Sequence, residues 1–372
     1  MDFLDKIKEE IDKCIKCEIC MEKGVCPSFT IKENEVYSPL GRLNALMQVL
    51  NDKITNNVEV SLLTCNACAR CTEICPLNIK IGELVNFGRN ILYKKGLLPK
   101  ENHKRIIDSI IHKGNAVVKN EYQRYIYKDQ YYDKFFNNES DTLLFLGCIS
   151  SFFYGDVIKS SINILDSLGI SFQLINHEGC CGIFLYDGGY FDKAKEVFIK
   201  NKIRFESIGI NKIITLCPSC FKCFKQYYPR ILGDFNIEVF HFVEAVIKEL
   251  ENGKSLSFSK AGSFVLHEPC KLTRFLNIIE EPRIMLNAMK INFSELDENR
   301  RMSLCCGAGS GVRAYDMKLA LDIGNIILNK ALERDIVTLC PFCKMNLLHS
   351  AKQNHKKIKV SYISEIFIGN GG

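Results

Sequence analysis

Cysteine is the residue type in this 372-residue chain whose spacing predicts chemistry, and only Cys223 among its 19 cysteines stands outside a pattern. Two runs near the N-terminus have ferredoxin-like spacing: Cys14, Cys17, Cys20, Cys26 and Cys65, Cys68, Cys71, Cys75. Two later sets combine a lone Cys, a Cys-Cys-Gly and a Cys-x-x-Cys: Cys148, Cys180, Cys181, Cys217, Cys220 and Cys270, Cys305, Cys306, Cys340, Cys343. Thiolate is a soft ligand that selects iron–sulfur clusters or zinc, so the chain is predicted to hold metal.

The second N-terminal run has the spacing of bacterial ferredoxins, in which three cysteines hold one [4Fe-4S] cluster and the fourth reaches the other cluster. Zinc is the alternative, but a tetrahedral zinc site uses two spaced pairs and not a third cysteine at the same short interval. Two cubane clusters are therefore expected, one on Cys14, Cys17, Cys20 and Cys75 and the other on Cys65, Cys68, Cys71 and Cys26. The first run has a longer gap before Cys26 than ferredoxins have, which affects its local loop more than its ligation.

The pairs Cys217-Pro218-x-Cys220 and Cys340-Pro341-x-Cys343 also have the spacing of a thioredoxin-like dithiol. A thioredoxin pair acts alone, whereas each pair here accompanies a Cys-Cys-Gly and a lone cysteine. Five thiolates exceed the needs of one zinc ion or one ordinary cubane. Proline next to these cysteines fixes φ and stiffens the ligand loop.

An internal repeat organises the C-terminal half of the chain. Residues 142–148 resemble 263–270, and residues 178–182 resemble 303–307, a spacing that indicates two homologous domains rather than a solenoid. Apolar β-rich runs alternate with helical patterns, which predicts α/β units with the cysteines at strand ends. The N-terminal part predicts short helices over 41–50 and 82–95.

The predicted fold class is thus multidomain, an N-terminal α-helical ferredoxin-like domain followed by two homologous α/β domains with the Cys-Cys-Gly signature (CCG domains). The expected boundaries are 1–98 for the ferredoxin domain, 99–141 for a linker, 142–255 for the first CCG domain and 256–372 for the second. The tract 122–136, rich in Tyr and Lys, is interpreted as linker or docking segment.

Composition limits the compartment and the partners. The net charge of +6 comes without a basic stripe interleaved with aromatic residues, so no nucleic acid is expected. Residues 1–13 predict a charged amphipathic helix rather than a signal peptide, and no apolar run approaches the ~18 residues of a membrane span. A secreted, disulfide-stapled protein is therefore disfavoured. We expect a cytoplasmic protein, or one bound peripherally to the inner face of the membrane through a partner subunit.

Other residues give weaker signals, and no catalytic residue is assigned. His177 and His267 each precede a cysteine by three positions, where they could donate protons, tune a cluster by hydrogen bonding or serve only as structural histidines. Arg301, Arg313 and Lys271 could meet a sulfonate or phosphate, although surface cations are common. The glycine-rich segment 307–311 is interpreted as cluster-loop backbone rather than a dinucleotide fingerprint, so electrons must arrive from another subunit.

The two complete CCG modules, preceded by two ferredoxin runs and Ser38-Pro39-x-Gly41-Arg42, resemble the D subunit of heterodisulfide reductase, itself similar to a fusion of the C and B subunits of the soluble enzyme. The resemblance covers nearly the whole chain. It implies a noncubane [4Fe-4S] cluster on each five-cysteine set, with the disulfide of coenzyme M and coenzyme B bound between them. It also implies a redox partner subunit, either a cytochrome b-like membrane protein or a flavoprotein.

The expected function is that of an iron–sulfur subunit that passes electrons through two cubane clusters to two noncubane clusters, which reduce a disulfide. The alternative is an iron–sulfur subunit similar to those of flavin-linked glycolate, lactate and glycerol-3-phosphate dehydrogenases, which pass electrons to quinone. The first module of those subunits often lacks part of its closing pair. Cys217 and Cys220 are both present here, which favours the disulfide reductase.

Overall fold

The N-terminal region is helical in the computed structural model, which describes residues 3–124, 130–136, 138–256 and 263–366. Its helices are α1 (Phe3–Asp12), α2 (Pro27–Lys32), α3 (Pro39–Leu50), α4 (Asn56–Leu63), α5 (Arg70–Glu73) and α6 (Ile81–Lys94). The helices predicted over 41–50 and 82–95 are confirmed as parts of α3 and α6.

The Ser-Pro-x-Gly-Arg sequence forms the start of α3. The Ser38 side chain accepts a hydrogen bond from the Gly41 N–H at 2.9 Å, and Pro39 occupies the first turn, where its missing N–H costs nothing. A Cβ on Gly41 would come within 1.9 Å of the Glu35 carbonyl oxygen, so only glycine fits against the preceding turn.

Helices also occupy the segment between the N-terminal region and the first sheet. They are α7 (Glu101–Lys113) and α8 (Gln130–Phe136). Residues 99–141 were expected to form a linker, and α7 instead buries Ile107 and Ile110, so this segment contributes to the core. The predicted docking tract 122–136 lies partly outside the described residues.

The first CCG unit is a small parallel sheet with flanking helices. Its elements are β1 (Thr142–Phe145), α9 (Cys148–Phe153), α10 (Gly155–Ser167), α11 (Ile183–Asp187), α12 (Phe191–Ser207), β2 (Lys212–Thr215), α13 (Pro218–Lys222), α14 (Tyr228–Leu232), β3 (Glu238–His241) and α15 (Phe242–Glu251). The strand order is β1-β2-β3, with Leu144 opposite Ile214 and Ile214 opposite Phe240. Strand β1 is buried along its whole length, which explains its continuous apolar run.

The second CCG unit repeats this plan with an additional edge strand. Its elements are β4 (Ser263–His267), α16 (Glu281–Ala288), β5 (Asn292–Glu295), α17 (Val312–Tyr315), α18 (Met317–Lys330), β6 (Asp335–Thr338), α19 (Pro341–Gln353) and β7 (Val360–Tyr362). All pairings in the order β5-β4-β6-β7 are parallel. In the first unit, the corresponding edge is reduced to a single bridge between Leu143 and Gln173.

The cysteines follow the carboxyl ends of the strands, as predicted. Cys148 and Cys217 come shortly after β1 and β2, and Cys270 and Cys340 come shortly after β4 and β6. Because parallel strands end at a common edge, each sheet gathers its cysteines there. Within the described ranges, no helix has both the length and the apolar character needed to span a membrane.

Candidate iron–sulfur centres and the cavity between the cysteine-rich units

The first four-cysteine group lies at the surface of the N-terminal region. A small cavity is lined by Cys14, Cys17, Cys20 and Cys75, so Cys75 of the second run lies with three cysteines of the first run, and Cys71 also reaches this cavity. Burial and the charges of Cys14, Cys17 and Cys75 raise the pKa of Cys20 to about 11. Cys17 is exposed, which brings one edge of this group to solvent.

The second group surrounds an adjacent cavity lined by Cys26, Cys65, Cys68 and Cys71. Burial and the neighbouring thiolates raise the pKa of Cys71. Buried Arg42 donates hydrogen bonds to Cys26 Sγ at 3.1 Å and to Ser28 Oγ at 2.6 Å, so the arginine of the Ser-Pro-x-Gly-Arg sequence places a positive charge beside the thiols. Both groups match the expected crossing arrangement, while ligation by these residues stays a prediction.

These two groups fit a cluster in shape and in charge. In each group, the thiols surround a hollow. The negative charges of neighbouring thiolates raise the pKa of a thiol among them, and a bound cation would offset those charges and stabilise the thiolates. In the described part of the chain, no three His, Cys, Asp or Glu side chains close around the position of a single metal ion, so the cysteines line hollows rather than a one-ion site.

The first five-cysteine set is brought together at the carboxyl edge of its sheet. Side-chain contacts join Cys148 to Cys180, Cys180 to Cys181, Cys181 to Cys220 and Cys220 to Cys217. The sequence patterns left out Cys223, yet its buried thiol contacts Cys181 and donates to the Cys181 carbonyl at 3.1 Å. Its position one helical turn after Cys220 is the signal that could have identified it.

The second set forms a similar group, in which contacts join Cys270 to Cys305, Cys305 to Cys306, Cys306 to Cys343 and Cys343 to Cys340. Buried His267 also contacts Cys306, and together with Cys305 and Cys343 it lowers the pKa of the Cys306 thiol. His177 is different: its side chain is 79% exposed and its Nδ1 lies 3.9 Å from Glu121.

Thiols of different groups also meet. Cys68 contacts Cys305, which joins the N-terminal region to the second CCG unit, and Cys217 contacts Cys340, which joins the two CCG units. Two hydrogen bonds from side chains to backbone carbonyls hold the N-terminal region against the second CCG unit. Arg274 Nε donates to the Cys68 carbonyl at 2.5 Å, and the Asn66 amide donates to the Gly307 carbonyl at 2.6 Å.

Buried Arg89 in α6 fixes all three regions at one point. Its guanidinium donates to the carbonyls of Leu62 and Cys65 in the N-terminal region, of Asp187 in the first unit and of Ser310 in the second. The Asp187 carboxylate accepts hydrogen bonds from Lys271 at 2.7 Å and from Ser310 and Tyr227 at 3.0 Å. Burial alone would raise the pKa of Asp187, but Lys271 and Lys222 lower it to about 2.

A cavity of about 320 Å³ lies between the two CCG units. All five cysteines of the first set line it, whereas none of the second set does. The second unit contributes Lys271, the segment 308–311, Arg313 and Met345. Of the three cations singled out from the sequence, Lys271 and Arg313 therefore reach the cavity, and Arg301 instead pairs with Glu73 at the surface.

Comparisons with known proteins agree with this division. A family model described as a cysteine-rich domain matches residues 142–225 and 264–348, and one described as a 4Fe-4S dicluster domain matches residues 10–79.

The chain is 26% identical to the D subunit of dihydromethanophenazine:CoB–CoM heterodisulfide reductase from Methanosarcina barkeri, over 96% of this chain and 93% of the relative. It is 26% identical to the B subunit of fumarate reductase (CoM/CoB) from Methanothermobacter marburgensis, over 95% and 71%. It is 25% identical to EtfAB:quinone oxidoreductase from Syntrophomonas wolfei, over 98% and 59%.

Proposed function

We propose that this chain is the iron–sulfur catalytic and electron-transfer subunit of a heterodisulfide-reductase-like complex. The premise is that it is an iron–sulfur protein like the D subunit of heterodisulfide reductase, with two ferredoxin motifs and two CCG domains. Its substrate in this proposal is a disulfide of the CoM-S-S-CoB type. The reaction breaks the S–S bond with two electrons and two protons and releases two thiols.

The proposed cofactors are two cubane and two noncubane [4Fe-4S] clusters, which supply single electrons for the cleavage. The cubane ligands are Cys14, Cys17, Cys20, Cys75 and Cys65, Cys68, Cys71, Cys26. The noncubane ligands are Cys148, Cys180, Cys181, Cys217, Cys220 and Cys270, Cys305, Cys306, Cys340, Cys343.

One observation carries the proposal, namely the unbroken succession of thiol groups from the surface to the cavity. It begins at exposed Cys17 and passes to the group around Cys68 through Cys71, which lines both N-terminal cavities. It then crosses to the second CCG unit at Cys305 and reaches the first unit at the contact between Cys340 and Cys217. All five patterned cysteines of the first unit then line the cavity. A protein that takes electrons at its surface and delivers them to a buried substrate needs this arrangement.

The cavity supplies what a disulfide requires from the protein itself. Ile106, Val117 and Met345 give it apolar walls, and the Lys271–Asp187 ion pair is buried at its edge. Residues of both CCG units and of α7 line the cavity, so a bound substrate contacts three parts of the chain.

Several relatives are named as subunits of reductases, which supports a partner subunit for this chain. In the proposal this partner is a cytochrome b-like membrane protein or a flavoprotein, and the chain works in the cytoplasm or on the inner face of the membrane through that partner. The genes next to this one would identify the partner class.

The proposal is tested by adding a CoM-S-S-CoB disulfide to the anaerobically reduced holoprotein. We expect release of both thiols and a new paramagnetic state in the electron paramagnetic resonance spectrum. A reduced holoprotein that releases no thiol from the disulfide and shows no spectral change would contradict the proposal.

A second candidate is an iron–sulfur subunit of a flavin-linked respiratory dehydrogenase that passes electrons to quinone. The similarity to EtfAB:quinone oxidoreductase over 98% of this chain favours keeping it. Electron flow from a 2-hydroxyacid flavoprotein to a quinone analogue, without reduction of any heterodisulfide, would support this candidate over the first.

A further inference from the structure

A second cavity, of about 550 Å³, is lined by the end of α7, by α12 and by the loop that precedes Cys180. We call it the α7–α12 groove. Cys180 lines this groove as well as the cavity between the CCG units, so two cavities lead to the first five-cysteine set. A volume of this size suits a small molecule.

The floor of the groove is buried and partly apolar. Ile110 of α7 and Val197 of α12 supply aliphatic side chains to it, and both are buried. The Asn201 amide, also on α12, donates to the Cys180 carbonyl at 2.8 Å, which holds the floor against the cysteine set. The apolar part of a ligand therefore has a fixed surface to pack on.

Basic side chains predominate around that floor. Five of them line the groove: His112, Lys113, His177, Lys200 and Arg204. The carboxylates that line it in the described part of the chain are Glu121 and Glu196, and Glu121 is already paired with buried Arg124 at 2.6 Å. Arg124 also donates to the Gly114 carbonyl at 3.0 Å, which offsets the negative end of α7. Positive charge therefore exceeds negative charge in the groove.

Two of these cations are exposed, one from each helix. Lys113 donates to the neutral Asn120 side chain at 3.3 Å, and Lys200 forms no ion pair with any residue that the structure describes. Lys202, two positions further along α12, instead pairs with Asp234 and does not line the groove. The groove thus has two lysines whose charge is not offset by a carboxylate of the described chain.

We infer that the α7–α12 groove binds a small anionic electron carrier. Lys113 and Lys200 hold its phosphate or sulfonate through charge-assisted hydrogen bonds, and its ring packs on the floor formed by Ile110 and Val197. Phosphorylated flavins and sulfonated quinones have this chemistry. A ring bound there lies beside Cys180, a proposed cluster ligand, which is why an electron carrier is the ligand class. Such a carrier reaches the first CCG unit without passing through the N-terminal region.

The test compares flavin mononucleotide with riboflavin, which has the same ring and side chain but no phosphate. Titration of each compound into anaerobic holoprotein in a calorimeter measures its affinity without turnover. We expect flavin mononucleotide to bind about 10-fold more tightly, since each exposed cation contributes modestly to holding an anion. High salt should reduce this preference, because it screens exposed charges.

Lys113→Gln and Lys200→Gln should each lower the preference by about threefold, and the double variant should remove it. Both side chains are exposed, so these substitutions leave the core intact. Lys202→Gln is the matched control, because it removes the same charge from the same helix outside the groove, and it should keep the full preference. The affinity for riboflavin should be the same in all of these variants.

Equal affinities of the wild type for the two flavins would overturn the inference. A preference that persists in the double variant would place the phosphate elsewhere, and an equal loss in Lys202→Gln would reduce the effect to the general charge of α12. Either result would also overturn the inference. These measurements involve no disulfide, so the inference stands or falls independently of the proposed function.

Discussion

The two CCG units carry the same five-cysteine pattern at the same edge of a parallel sheet, yet their surroundings differ. The first set lines the cavity, whereas the second set contacts Cys68 of the N-terminal region. The second set also has His267 beside Cys306, and in the first unit His177 is directed to solvent. The repeat therefore reproduces the five-cysteine arrangement, and the packing around each copy gives it a different neighbour.

Local sequence accounts for part of this difference. Gly147, before Cys148, has a φ of +75°, and a Cβ there would lie 3.3 Å from Cys220 Sγ. Its N–H donates to buried Glu178 at 2.8 Å, which holds the loop against the cavity. In the second unit the same place is taken by Pro269, whose fixed φ excludes that conformation.

The largest expected effect concerns metal content, which tests whether both units bind a cluster. Four clusters predict about sixteen iron atoms per chain, comparable sulfide and essentially no zinc. Anaerobic iron and sulfide analysis of the purified chain measures this. A value of about eight iron atoms would leave the CCG units without clusters and remove the basis of the comparison.

Loss of one cysteine from either unit should abolish disulfide reduction. Cys181→Ser and Cys306→Ser each replace a thiolate anchor with a poorer ligand, and we expect activity to fall by about 100-fold or more. The signals of the N-terminal cubanes should remain in the electron paramagnetic resonance spectrum. Full activity in either variant would show that a single unit suffices.

Cys68→Ser should separate electron entry from substrate reduction. Because Cys68 belongs to the N-terminal region and contacts Cys305, we expect loss of turnover with the physiological partner. A small artificial donor that reaches the CCG units directly should still support disulfide reduction. Equal loss with both donors, in a variant that keeps its fold, would argue against this division of roles.

Asp187→Asn should weaken the junction of the three regions without removing iron. The change breaks a buried ion pair with Lys271, which costs about 3 kcal/mol of unfolding free energy. The folded pKa of Asp187, about 2, lies below its ordinary value, so its contribution is present above pH ~4 and is lost as the pH falls through 2. Between pH 5.5 and pH 8.5 Asp187 stays ionised, but burial and Lys271 lower the pKa of the neighbouring Lys222 to about 7, so Lys222 is charged at pH 5.5 and neutral at pH 8.5. The difference in melting temperature between wild type and variant should thus be larger at pH 5.5 than at pH 8.5, and the opposite order would contradict the assigned charge states.

Sequence reasoning reached the features that short-range patterns encode. The cysteines lie at strand ends, after the apolar runs that predicted those strands. The spacing of the two N-terminal runs also placed Cys75 beside Cys14, Cys17 and Cys20, and the four line one cavity. It missed contacts made to backbone carbonyls distant in the chain. Arg89 is the clearest case, because its acceptors belong to three regions and no residue type marks a carbonyl. Helix α7 was missed for a related reason, since its buried His103 makes its hydrogen bonds to the Tyr190 hydroxyl and the Gly311 carbonyl, which lie far away in the chain.

The smallest expected effect concerns Cys223, the cysteine outside every pattern. Its thiol donates to the Cys181 carbonyl at 3.1 Å, and at the equivalent place of the second unit the Asn346 amide donates to the Cys306 carbonyl at 2.6 Å. Both side chains follow the closing cysteine of their pair by one helical turn, so the repeat keeps a hydrogen-bond donor there and not a sixth thiolate.

Cys223→Ser, which retains a donor of similar size, should leave iron content and disulfide reduction unchanged. Cys223→Ala removes the donor and should lower the unfolding free energy by about 1 kcal/mol, because the Cys181 carbonyl loses one buried partner and keeps the Tyr228 hydroxyl at 3.1 Å. Iron analysis and denaturant unfolding of the two variants measure these effects, and loss of iron in Cys223→Ser would instead make Cys223 a ligand and the first unit chemically distinct from the second.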